Sequence, residues 1–274
     1  GVDNADNFAK WDGTSWTALG SGTSGVVNTI AISPNGTIYI GGNFTSFGGD
    51  TNCNFIAYYN TTAGNWKPVG TAGLNYPVYA LAFAPNGDLY IGGTFTAADG
   101  TDGDYLCYWD GTAFHRVGTV ELSSWVRTLA FGATGYLYVG GNFINAGGIA
   151  NADYIARWNG SQWEPLGTGT NGIVYGITVN SGKVYAAGSF TSAGGLTLTD
   201  RVAVWSNGAW QPLDIDLPGI AEVYSILPAS DGSLYIGGAF STVGETPDEN
   251  AKTGIVALNL NVASASANTY PVVS

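Results

Sequence analysis

The sequence is short of almost every group that chemistry uses. It has no Met, one His, two Cys and only eight Lys and Arg against 20 Asp and Glu, for a net charge of −12. Eight cations in 274 residues cannot neutralise a phosphate backbone, which excludes nucleic acid as a partner. The same shortage excludes docking on an anionic membrane surface. No apolar run reaches 18 residues, so no membrane-inserted helix is expected. A lone His leaves no multi-histidine metal centre. Two Cys make no disulfide framework. No Gly-rich phosphate loop ending in Lys occurs, and no cofactor is expected. The lack of Met even at position 1 is expected of a processed chain whose signal peptide is gone.

What is abundant is glycine, 42 of 274 residues, with 45% hydrophobic and 13% aromatic content. That is about twice the usual ~7% glycine share, yet the apolar content excludes disorder. The glycines follow a repeat. Tyr39, Tyr90, Tyr138, Tyr185 and Tyr235 each sit in a Tyr-x-Gly-Gly-type motif ending in Phe, at intervals of 51, 48, 47 and 50 residues. Each unit has a Val-led run (Val27, Val78, Val126, Val174, Val223), here strand a, and the Tyr-Gly-Gly run is strand b. An aromatic followed by Asp, Asn or Ser is strand c, and a run led by Trp16, Trp66, Phe114, Trp163 or Trp210 is strand d. Alternation over four to seven positions is the strand period, and Gly-containing dipeptides such as Asn35-Gly36 and Asn86-Gly87 punctuate it as hairpins.

Four short antiparallel strands repeated five times predict an all-β chain. A four-stranded sheet cannot bury both faces alone, and radial repetition solves this, giving a five-bladed β-propeller. Residues 1–260 are expected to form the propeller and 261–274 a C-terminal tail able to act as an intersubunit strand. The N-terminal c–d half-unit and the C-terminal a and b strands add up to one blade, so strands from both termini close the ring. Ile255–Asn259 also reads as strand c, one too many. Either it completes the fifth blade and the N-terminal half-unit packs differently, or the N-terminus closes the ring and the tail runs free.

The Gly-Gly of strand b, the aromatic of c and the Trp of d resemble the kelch repeat. Closer still are the GG-x-F-T…IARWNG…W-x-x-LG repeats of bacterial secreted and surface proteins. The resemblance covers nearly the whole chain and implies fold, a secreted or surface location, and little about activity. The charged loops of intracellular kelch adaptors are missing, so their ubiquitin-ligase role is not implied.

The residue after each strand-a Val is expected near the mouth of the central channel. These are Asn28, Tyr79, Arg127, Tyr175 and Tyr224, with Trp125 on the same approach. Equivalent positions bearing different side chains form a candidate ligand ring for a protein epitope or a glycan. The competing reading packs the tyrosines into the channel and pairs Arg127 with Glu121 or Glu222. The strand c and d tryptophans recur in every unit and read as packing. Asp6, Asn54, Asp104, Asp153 and Asp200 read as devices that start strand c. Asp99, Asp102 and Asp104 have oxygen spacing that could take Ca²⁺ but lack the EF-hand order. Cys107 stands where other units have Ala, as an inert buried substitute. His115 on outer strand d is misplaced for a triad, and Glu222 is the sole acid suited to glycoside hydrolysis. The expected role is a non-catalytic extracellular binding or assembly module, with a protein partner or homo-oligomer joined through the termini. The alternative is a lectin, and a hydrolase stands third.

Overall fold

The computed structural model describes residues 7–71, 73–100, 103–197, 199, 201–213 and 222–239, together with the backbone of Ile255–Asn259. It divides into two units, Gly1–Phe131 and Gly132–Ser274. Asp6, Asp102, Asp200, the acidic loop 245–249 and the expected tail 261–274 lie outside the described residues.

The first unit opens with a two-stranded hairpin, β1 (Ala9–Trp11) and β2 (Trp16–Ala18). A four-stranded antiparallel sheet follows: β3 (Val26–Ile32), β4 (Ile38–Asn43), β5 (Ile56–Asn60) and β6 (Asn65–Pro68). The next is β7 (Val78–Phe83), β8 (Leu89–Gly93), β9 (Leu106–Trp109) and β10 (Phe114–Arg116). The unit ends with β11 (Val126–Phe131). The second unit starts with β12 (Leu137–Gly141), β13 (Ile155–Trp158) and β14 (Trp163–Pro165). Then come β15 (Val174–Asn180), β16 (Lys183–Gly188), β17 (Val202–Ser206) and β18 (Ala209–Gln211), in consecutive antiparallel order. The last sheet has three strands, β19 (Glu222–Pro228), β20 (Ser233–Ala239) and β21 (Ile255–Asn259). The surplus strand of the sequence is therefore paired: Ile255 faces Gly237 and Asn259 faces Ser233, in the place of strand c.

The turns follow local chemistry. In Ser33-Pro34-Asn35-Gly36, the Gly36 amide donates to the Ser33 carbonyl at 2.8 Å, and Gly36 takes φ +84°. Pro at the second position sets the first φ, and only Gly takes the left-handed closing position cheaply. Asn207-Gly208 is left-handed at both residues, the two-residue hairpin form. At the end of strand c an acid or amide clasps the next turn. Asp12 Oδ1 accepts the amides of Thr14 and Ser15, Asp110 Oδ1 those of Thr112 and Ala113, and Asn159 Oδ1 those of Ser161 and Gln162. These bonds hold the Asp12 and Asp110 carboxyls well below the usual range.

Packing between sheets explains the first glycine of the pairs in β4 and β8, and crowding against strand a of the same sheet the second, where a Cβ on Gly93 would collide with the Pro77 carbonyl oxygen. A Cβ on Gly92 in β8 would lie 2.5 Å from Cγ1 of fully buried Val126 in β11, and one on Gly41 in β4 would collide with Val78 in β7. Sheets thus touch backbone to side chain at strand b. In unit 1, Leu81, Leu89, Ile91 and Phe95 form one core with Ala31 and Tyr39 of the preceding sheet against it. In unit 2, Val223, Ile226, Leu234 and Ile236 pack with Tyr185, Ala187, Val202 and Val204. Trp66 and Trp210 are buried, and their indole N–H groups donate to the carbonyls of Leu19 and Leu166. Trp11 and Trp16 of the lone hairpin stay exposed, at 50% and 58%. Cys107 is buried opposite Ile91, where β5 and β13 place Ala57 and Ala156 opposite Ile40 and Val139. Burial pushes its thiol up. Cys53 is also buried and free, its thiol pushed up to about 12 by burial and by Asp50.

Candidate functional site

Strand a carries a β-bulge at the positions the sequence singles out. In β3, Val27 faces Gly42 and Thr29 faces Gly41, so Asn28 has no ladder partner. In β7, Val78 faces Gly93 and Ala80 faces Gly92, which leaves Tyr79 unpaired. In β15 and β19 the register skips Tyr175 and Tyr224 in the same way. A bulge bends the strand and re-aims the extra side chain. The scaffold on either side is constant, Val before the bulge and Gly opposite. The bulged side chain is Asn in β3 and Tyr in β7, β15 and β19.

In unit 1, Asn28 Nδ2 donates to the Val78 carbonyl at 2.8 Å, so Asn28 ties one strand a to the next. Tyr79 meets Trp125 edge to face at 6.4 Å. The guanidinium of Arg127 lies over the Tyr79 ring, 4.5 Å from its centroid. The pairing of Arg127 with Glu121 or Glu222 is not found. Glu121 holds Arg116 at 3.1 Å, and Glu222 is engaged in unit 2. There Tyr224 donates its hydroxyl to Glu222 Oε2 at 2.7 Å, and Tyr175 donates to Oε1 at 3.4 Å. The two phenol rings meet edge to face at 5.4 Å. Bulge residues Tyr175 and Tyr224 and the acid two residues before Tyr224 thus form one small cluster.

The other candidates have structural partners. His115 Nε2 lies 2.8 Å from Asp110 Oδ2 and its ring stacks on Tyr108. Asp110 is the turn clasp, and no hydroxyl bonds His115 among the described residues, so no nucleophile is assembled there. Asp99 spends both carboxylate oxygens on the Thr71 amide, and Oδ1 also accepts its hydroxyl. No group of metal-ligating side chains forms among the described residues. Asp153 accepts the Asn145 amide, eight residues away, rather than one at the start of its own strand.

Two features escape the sequence reading. Among the described residues the backbone just before strand c is left-handed at five places: Asn7, Phe55, Tyr105, Tyr154 and Arg201 have φ between 59° and 64°. Phe55 donates its amide to the Phe44 carbonyl, and Gly42 donates to Phe55, a pattern repeated at Tyr105, Tyr154 and Arg201. Large side chains strain this conformation, and recurrence marks it as a corner of the fold. The second is a groove of about 420 Å³ in unit 1, lined by Asn35, Tyr39, Phe83, Asn86, Trp109 and Asp110 among others. Its Asn86 and Asp110 side chains bond within their own turns.

Residues 6–89 match the family model of the Rax2 C-terminal β-propeller domain, about a third of the chain. No curated protein matches the chain. Among solved structures it is similar to a streptogramin B lyase, with 15% identity, TM-score 0.55, 94% of this chain and 77% of that one covered. It is also similar to YCF48 bound to D1 peptide, with 14% identity, TM-score 0.50, and 85% and 66% covered. A third is the extracellular domain of the hybrid two component system BT4673 from B. thetaiotaomicron, with 13% identity, TM-score 0.50, and 79% and 26% covered. The chain thus spans less than two thirds of the latter two. These likenesses show a β-propeller fold. No helix among the described residues is long and apolar enough to cross a membrane.

Proposed function

We propose that this chain is a non-catalytic binding or assembly propeller working at an extracellular surface. The observation that carries the reading is the repeated strand-a bulge. One backbone device presents Asn28, Tyr79, Tyr175 and Tyr224, four positions alike in register, three of them Tyr and one Asn. A bulge turns its extra side chain out of the ladder, and Tyr224 is 46% exposed there, an amphipathic ring open to a ligand. YCF48, a similar propeller, was solved with a peptide bound, which supports recognition of protein by this architecture. The likeness to an extracellular domain supports the location, with the acidic, Lys-poor composition.

The finer architecture in this proposal is five kelch-like blades, the fifth built with strands from both ends of the chain. The exposed Trp16 supports it, because its counterparts Trp66 and Trp210 are buried in complete sheets. In the assembly form, light scattering at high concentration should give a mass above the monomer, and removing residues 261–274 should lower it. A monomer at every concentration, unchanged by the deletion, would defeat that form. For the binding form, a glycan array separates protein recognition from sugar recognition. A hit lost in Tyr175→Ala would turn the reading to a lectin.

A further inference from the structure

Arginine is scarce in this protein, and its arginines are spent carefully. Arg116 pairs with Glu121 at 3.1 Å, and Arg157 pairs with Glu164 at 2.7 Å. Burial alone would raise the Glu164 carboxyl, but hydrogen bonds from Asn159 and Arg157 hold it below the usual range. Arg201 donates Nη1 to the Phe190 carbonyl at 3.1 Å. Arg127 differs. It is half-buried, its guanidinium carbon sits over the Tyr79 ring, and among the described residues the guanidinium reaches no acid and no carbonyl. A guanidinium carries five N–H donors in a fixed plane, and taking it partly out of water without an acceptor costs free energy. The ring beneath it attracts the cation through its face and supplies no acceptor for those N–H groups.

We propose that Arg127, Tyr79 and Trp125 form a carboxylate-binding site for a peptide bearing a single acidic group among apolar side chains. This rests on the binding-module reading above and names the ligand class. The carboxylate is the planar, bidentate partner of guanidinium. The rest of the cluster offers ring faces, an indole N–H that can only donate and one phenol that can donate or accept. A neutral sugar presents several hydroxyls that need acceptors as well as donors, and this cluster is poor in acceptors. Tyr76 and Val120, on the loops that enter β7 and β11, are exposed at 54% and 48% and give apolar contact on the approach. A net charge of −12 repels ligands with many acids, so the site suits one carboxylate rather than a polyanion.

The test uses the full chain, fluorescently labelled, on an array of 12-residue peptides. Each carries one Asp or Glu between aromatic or aliphatic residues and stands beside its amide twin, Asn or Gln. Hits are measured by anisotropy, with a trigalacturonate arm in parallel. The expected result is peptide binding that weakens at least tenfold in the amide twin and at least tenfold in Arg127→Gln. Arg127→Lys should lose less than Arg127→Gln, because it keeps the charge and loses the fork, and raised salt should weaken binding. The unfolding midpoint of each variant should match the parent. Equal binding of acid and amide twins, or binding unmoved by Arg127→Gln, would overturn the site and leave the binding-module reading standing. Binding of trigalacturonate alone, lost in Arg127→Gln, would overturn the peptide in favour of an acidic glycan. A blank in every arm would overturn the site and leave the assembly form of the module as the reading to be judged by mass.

Discussion

Trp66→Ala should destabilise the protein by about 3–5 kcal/mol, the range for removing a fully buried Trp. In equilibrium unfolding followed by far-UV circular dichroism, this is a fall in midpoint of roughly 6–15 °C for a chain of this size. Trp66 is 2% exposed and meets Phe8, Phe47 and Tyr59 at centroid distances of 5.5, 4.3 and 5.2 Å. Its indole N–H also serves the Leu19 carbonyl. A Cβ on Gly48 would sit 2.7 Å from the ring, so the backbone is already pressed against it and cannot close the cavity easily. Trp66→Phe keeps part of the ring contact and leaves Leu19 without its donor, so it should cost clearly less than the alanine variant. A Trp66→Ala protein within about 1 kcal/mol of the parent would show that this packing is not what holds β3–β6 to the N-terminal hairpin.

The second large effect is at the glycine seam. Gly92→Ala places a methyl 2.5 Å from Val126 Cγ1 and 3.1 Å from its Cβ. Val126 is fully buried and branched at Cβ, so it has no rotamer to retreat into. Overpacking of this kind costs typically 1–3 kcal/mol, and the upper end is expected here because a backbone shift must move a whole strand. Val126→Ala on its own should also destabilise, by leaving a cavity. Combined, the two changes should cost less than their sum, since the small residue at 126 makes room for the methyl at 92. Strict additivity in this double-mutant cycle would mean that β8 and β11 do not touch at these atoms.

Much of this was legible in the sequence because it repeats. The 47–51 residue period, the four strands and the Cys107 position all follow from comparing one unit with the next. The bulge residues were legible as a column of one Asn and three Tyr after Val27, Val78, Val174 and Val223, though nothing in the letters said that the ladder skips them. Left-handed Phe55, Tyr105, Tyr154 and Arg201 were not legible at all. Bulky residues are the last ones expected at positive φ, and the conformation is imposed by the pairing with Phe44, Phe95, Phe143 and Phe190 at the end of strand b. Charge partners were also hidden. Arg116 and Arg127 are both within reach of Glu121 in sequence, and only the hairpin geometry of β10 gives that acid to Arg116. The strand beside β20 could not be decided from sequence because Ile255–Asn259 and the N-terminal half-unit carry the same pattern.

The central claim is that the bulge side chains are presented for recognition while the seams and tryptophans carry the stability. Its most direct test is the unfolding free energy of Tyr224→Ala measured beside Trp66→Ala. Tyr224 is 46% exposed, and its hydroxyl bond to Glu222 is exposed as well. The expected loss is within about 1 kcal/mol for Tyr224→Ala, as for surface positions in general. A loss of about 3 kcal/mol or more at Tyr224, comparable to Trp66→Ala, would contradict it and make the bulge residues part of the packing.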